Sequence, residues 1–195
     1  MPSAIQSVAV FCGSRSGTDP AHAEAARALG AGLATRGMTL VYGGGGIGLM
    51  GEVAKAALDA GGRVRGVIPE FLTRIERPYP ALAELEITSS MHTRKTRMFE
   101  LADAFVTLSG GLGTLDETVE VITWRQLGLH DKPIIILDID GWARPLVTLF
   151  DSLIDRGFVA QGDRSIYEVV PRVTDALALL TQVEAPAGAA PAARL

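Results

Sequence analysis

Thr39-Leu40-Val41-Tyr42-Gly43-Gly44-Gly45-Gly46-Ile47-Gly48-Leu49-Met50-Gly51 joins a short apolar run to a glycine-rich turn, and a helical pattern follows to about residue 60. A run of this length bounded by glycine suits a strand buried on both faces. Glycines let the backbone approach a ligand closely, and the free N–H groups at a helix N-terminus favour an anion. Gly44, Gly45 and Gly46 are therefore candidate phosphate contacts. The same grammar recurs at 104–108, where a strand pattern runs into Ser109-Gly110-Gly111-Leu112-Gly113-Thr114 and a helix reaches residue 127. Two such turns at the carboxyl ends of strands in one sheet would face a common crevice.

Outward from these turns, apolar runs at 8–12, 64–68, 133–137 and 166–170 alternate with helical patterns. The first helix has Asp19 as N-cap, Pro20 at its first position and Gly37 past its end. Others are expected at 91–102, 142–156 and 174–182. Strands separated by crossover helices predict an α/β, Rossmann-like three-layer fold with a mostly parallel sheet. The chain of 195 residues fits one domain over 1–183, followed by an Ala/Pro-rich tail at 184–195 that is expected to be disordered. Residues 69–80 hold three prolines and predict an irregular loop over one edge of the sheet.

Composition narrows the function. A net charge of -4 argues against coating a nucleic acid polymer. The single cysteine, Cys12, permits no internal disulfide and suits a reducing cytoplasm. No basic region precedes the first apolar run, and no segment approaches the roughly 20 apolar residues of a membrane span, so a soluble, non-membrane protein is expected. His22, His92 and His130 have no metal-ligand spacing, and no metal or other cofactor is expected. Cys12 reads as a small buried residue, Ser14 and Ser16 lack a nucleophile-elbow context, and Trp124 reads as a core or dimer contact.

Two segments carry candidate chemistry. Thr114-Leu115-Asp116-Glu117 fits a T-x-x-E capping box, with Thr114 as the cap and Glu117 held as an anion by the helix dipole. In Met91-His92-Thr93-Arg94-Lys95-Thr96-Arg97-Met98, helical spacing puts Met91, Arg94, Lys95 and Met98 on one stripe. The methionines mark that stripe as inward-facing, so its cations meet a ligand phosphate or a carboxylate such as Glu117, unless the stripe is partly exposed and they snorkel. Gly46 to Gly51 also satisfies G-x-G-x-x-G, with Glu70 at the spacing of a ribose-binding acid, which keeps an NAD-dependent oxidoreductase as an alternative.

Together FCGS (11–14), YGGGGIGLMG (42–51), GVIP (66–69), MHTRK (91–95), GGLGTLDE (110–117) and TWRQLGLHDKP (123–133) resemble the LOG ("lonely guy") family of cytokinin riboside 5'-monophosphate phosphoribohydrolases. The resemblance implies hydrolysis of the N-glycosidic bond of an N6-modified adenosine 5'-monophosphate, without a cofactor, by a homodimer. It makes Arg94 and Glu117 the catalytic pair, with Lys95, Gly111, Leu112, Gly113, Thr114 and Thr123 on the nucleotide. Met91 and Gly110 belong to the same matched blocks and are candidate substrate contacts. Glu76 is the nearest match to a further acidic contact of the family. One departure is Ser109, where the family usually has proline, and the exchange is expected to loosen the turn. A nucleotide-binding module without catalysis is the other alternative.

Overall fold

A computed structural model describes residues 4–183; the expected tail at 184–195 lies outside the described residues. Seven strands form one all-parallel sheet: β1 (Ser7–Phe11), β2 (Thr39–Tyr42), β3 (Val64–Pro69), β4 (Glu84–Thr88), β5 (Ala104–Thr107), β6 (Ile134–Leu137) and β7 (Glu168–Val170). Their order is β4-β3-β2-β1-β5-β6-β7. The helices are α1 (Pro20–Thr35), α2 (Gly48–Asp59), α3 (Thr73–Glu76), α4 (Met91–Leu101), α5 (Leu112–Gln126), α6 (Arg144–Asp155) and α7 (Val173–Gln182).

Side chains alternate across each strand, so the two faces build two cores. Val8, Val10, Leu40 and Tyr42 pack with Leu29, Leu33, Val53 and Leu177 from α1, α2 and α7. Ala9, Phe11, Val41 and Phe105 pack on the other face with Met98, Phe99 and Val121 from α4 and α5. The first helix starts as expected, since the Asp19 side chain accepts from Ala21 N–H and Gly37 past its end has φ 71°. No helix of the described residues is long and apolar enough to cross a membrane.

The region after β3 departs from expectation. It forms a single 3-10 turn and the short α3, and residues 76–79 then fold over the first glycine turn, not over a sheet edge. Gly46 N–H donates to Arg77 O at 2.9 Å, and Tyr79 N–H donates to Gly44 O at 3.2 Å. Strand β4 follows as an edge strand. Its sequence Glu-Leu-Glu-Ile-Thr alternates charged and apolar residues, as edges do, and so lacks the continuous apolar run that marks the central strands.

Candidate active site

Strand order reverses at β1. Crossovers through β2 and β3 lead to one side and those through β5 and β6 to the other, so the loops after β1 and β5 diverge and leave a crevice. That crevice is a cavity of about 550 Å³, a size usual for small-molecule sites. The loop at 12–17 and the turn at 109–113 form its two sides. Leu49 and Met50 of α2, Glu76 of α3, His22 of α1 and Trp142 close it, and Arg94, Thr114 and Glu117 complete its lining.

Arg94 is placed by α4, whose N-cap Ser90 accepts from Thr93 N–H at 3.1 Å. Its guanidinium is buried, and Nε donates to Val67 O at 3.1 Å. A Cβ on Gly43 would overlap Nη2, so the glycine at the end of β2 makes room for this arginine. Arg94 Nη1 lies 3.4 Å from Glu117 Oε1, and each side chain is only 8% exposed. Burial is the main reason that the Glu117 carboxyl is pushed up to about 7; Arg94 and Lys95 oppose the shift, while Asp116 and Glu76 add to it.

The capping box does not form. Helix α5 starts at Leu112 with Gly111 as N-cap and no side-chain cap, two residues before the expected start. Thr114 is already helical, its carbonyl accepts from Thr118 Oγ1 at 2.7 Å, and Glu117 lies beyond the first turn. A carboxylate there is too far along to draw on the dipole, which acts over the first turn. The anion expected from the helix dipole is replaced by a group whose proton affinity is raised by burial. With no side-chain cap, the leading N–H groups of α5 are available to an anionic ligand in the cavity.

Of the candidates from sequence, Glu76, Arg94, Gly110, Gly111, Leu112, Gly113, Thr114 and Glu117 line the cavity. Glu76 Oε2 is buried without a hydrogen-bond partner. Gly44, Gly45 and Gly46 lie off the cavity, under residues 76–79, and Gly46 N–H is spent on Arg77 O. The first glycine of the G-x-G-x-x-G match is thus covered by backbone, while Leu49 and Met50 within the match border the cavity. Met91 also lies off the cavity, with Sδ 3.9 Å from Arg94 Nη1. Lys95 pairs with Asp116 at 3.1 Å and Glu120 at 3.0 Å, so its charge is met within the protein. Thr123 is exposed on α5 and bonds Val119 O at 2.8 Å.

Sequence reasoning passed over the loop at 12–17 as a ligand wall, together with His22 and Trp142. Trp142 Nε1 donates to Gly110 O at 3.1 Å and so braces the second turn. The available signal was topological: the loop after the strand at the reversal point borders the crevice whatever its composition. The Cys12 thiol is buried, and burial pushes its proton affinity well up, which disfavours the thiolate that a nucleophile needs.

Residues 50–180 match the family described as "Possible lysine decarboxylase". Pyridoxal-dependent decarboxylation would require a lysine amine in the site, and no lysine lines this cavity. Buried Lys132 instead donates to Phe99 O at 2.7 Å and lies over the Phe99 ring. The chain is 44% identical over 175 residues to the probable cytokinin riboside 5'-monophosphate phosphoribohydrolase LOGL1 of Oryza sativa subsp. japonica, covering 90% of this chain and 78% of that one. It is 43% identical over 182 residues to cytokinin riboside 5'-monophosphate phosphoribohydrolase LOG7 of Arabidopsis thaliana, covering 93% and 84%. Among solved structures, the molybdenum cofactor carrier protein of Chlamydomonas reinhardtii superposes with a TM-score of 0.70 at 25% identity, covering 91% of this chain and 96% of that one. The chain belongs to the LOG family of cytokinin riboside 5'-monophosphate phosphoribohydrolases.

Proposed function

We propose that this chain hydrolyses the N-glycosidic bond of N6-modified adenosine 5'-monophosphate, releasing the free base and ribose 5-phosphate. The observation that carries the proposal is the buried Arg94 and Glu117 pair in a cavity that also holds a helix N-terminus. Phosphate capture alone needs the helix end and has no use for the carboxylate, which separates an enzyme from a binding module. As the C1'–N9 bond breaks, the bonding pair leaves with the purine and positive charge develops on the ribose. The Glu117 carboxylate stabilises that charge and takes a proton from the attacking water. The water oxygen adds to C1', and the proton passes to the departing base. Arg94 holds the carboxylate in place.

In the same proposal the phosphate lies at 110–114, and the unpartnered Glu76 oxygen accepts a hydrogen bond from a ribose hydroxyl. Thr123 bears on the homodimer. It lies with Val119 and Leu127 on the exposed side of α5, from which it reaches a nucleotide only across a subunit boundary. The cytoplasmic setting inferred from the lone thiol belongs to this proposal too. Incubation with AMP, CMP, GMP and isopentenyl-adenosine monophosphate, followed by chromatography of released bases, tests the activity. Release of adenine-type bases from the monophosphates is expected, and binding without release would favour the module.

A further inference from the structure

His22, in the first turn of α1, and Ser109, just after β5, are joined by a 2.8 Å hydrogen bond between Ser109 Oγ and His22 Nδ1. Both line the cavity beside the turn at 110–113. Ser109 is buried, and its carbonyl accepts Gly13 N–H at 3.0 Å, so the loop after β1 anchors it. The Ser109 hydroxyl supplies a contact that a proline could not make. A Cβ at Gly17 would come within 3.2 Å of the His22 ring edge, so the glycine leaves room for the imidazole.

This bond leaves two arrangements of the imidazole. The Ser109 hydroxyl either donates to Nδ1, so that the neutral ring carries its proton on Nε2, or accepts from Nδ1, so that Nε2 is an acceptor. An anion beside Nε2 selects the first, and no hydrogen bond joins Nε2 to another described residue. Arg15, two residues past Gly13 whose N–H bonds Ser109 O, also lines the cavity and forms no ion pair among the described residues. The other charged groups of the lining are Arg94 with its partner Glu117, and Glu76, while Lys95 is neutralised elsewhere. A phosphate monoester at 110–113 therefore meets one uncompensated guanidinium and one oriented N–H donor, besides the helix amides.

We infer that Arg15 and His22 clamp the 5'-phosphate of the nucleotide, with Ser109 as the positioning residue that holds His22 in its donor form. This rests on the phosphoribohydrolase activity proposed above and names the residues that make it selective for monophosphates over nucleosides.

Kinetics of H22A, R15A, S109A and S109T with AMP and adenosine, together with calorimetry of ribose 5-phosphate, test it. For H22A and R15A, KM for AMP is expected to rise about tenfold with a smaller change in kcat, and ribose 5-phosphate affinity to fall by a similar factor. The preference for AMP over adenosine, as a ratio of kcat/KM values, falls with it. S109A shifts in the same direction, S109T restores the wild-type ratio, and H22A/S109A is no worse than H22A alone. An unchanged ratio in H22A and R15A, or equal losses on AMP and adenosine, overturns the clamp. Calorimetry needs no turnover. If the wild type released no base yet bound ribose 5-phosphate through His22, the activity would be wrong and the clamp would stand.

Discussion

Glu117→Gln tests the catalytic pair, because it removes one charge and leaves the volume unchanged. Unit charges about 4 Å apart at an effective dielectric constant near 20 interact by about 4 kcal/mol, and the carboxylate is buried enough for that value to apply. Losing that stabilisation of a ribosyl cation lowers kcat about a thousandfold. The pH dependence gives a second signature. Glu117 is held above its ordinary value of 4.5, at about 7, so its contribution to stability is fully present below pH 4.5 and is lost as pH rises through about 7. The loss is on the order of 3 kcal/mol. Activity needs the carboxylate and therefore rises over the same range in which stability falls. The assay is base release by chromatography from pH 5.5 to 8.5, with urea midpoints measured in the same buffers for wild type and variant. The variant is expected to lose both slopes. A variant that kept more than about a tenth of wild-type kcat, or a wild-type rate that stayed flat across pH 7, would refute the assignment.

Gly43→Ala puts a Cβ where Arg94 Nη2 lies, so the guanidinium moves off Glu117; kcat should fall by about a hundredfold while the circular dichroism spectrum stays that of the wild type. Gly48→Ala is different in kind, because φ is 60° and the new Cβ would overlap the Ser14 carbonyl. It should lower unfolding stability by about 1–3 kcal/mol, read from urea midpoints. Burial pulls Lys132 down to about 8, so from pH 8 toward 10.5 the unfolded chain binds the extra proton and native stability rises; in Lys132→Met that rise should be absent when melting is followed over pH 8–10. Cys12 should resist a disulfide-exchange reagent in the folded protein and react at once in denaturant, and rapid native labelling would contradict its burial.

The central strands were legible because β1, β2, β5 and β6 are apolar runs too short for a helix and bounded by turn residues. Strand β4 was not, since an edge strand with glutamates at Glu84 and Glu86 is written in the same alphabet as a loop. Arg94 and Glu117 were legible as residues, yet not in their electrostatic state. Whether Glu117 caps a helix or lies buried in its second turn depends on α5 starting at Leu112 and not at Thr114, two residues that local grammar does not resolve. Lys95 and Arg94 are adjacent and chemically alike. Only packing of α4 against α5 sends one to Asp116 and Glu120 and the other to the cavity.

The two glycine turns look equivalent in sequence and do different work, for reasons that lie in what surrounds each. At 110–113 the turn opens on the reversal point of the sheet, and its residues line the cavity. At 43–51 the turn follows β2, one strand away from that point, where residues 76–79 cover it. Its glycines serve close packing instead: Gly43 admits Arg94, Gly46 lies under the Arg77 carbonyl, and Gly48 meets the Ser14 backbone. The consequence reaches the chemistry. The space that Gly43 leaves is the space in which the guanidinium sits, and the covering segment ends its short helix at Glu76, placing a third charged side chain beside the pair. If Arg94 and Glu117 are the catalytic pair proposed above, a motif that resembles a phosphate cradle acts through the position of an arginine, and Gly43 substitutions should alter kcat more than nucleotide affinity.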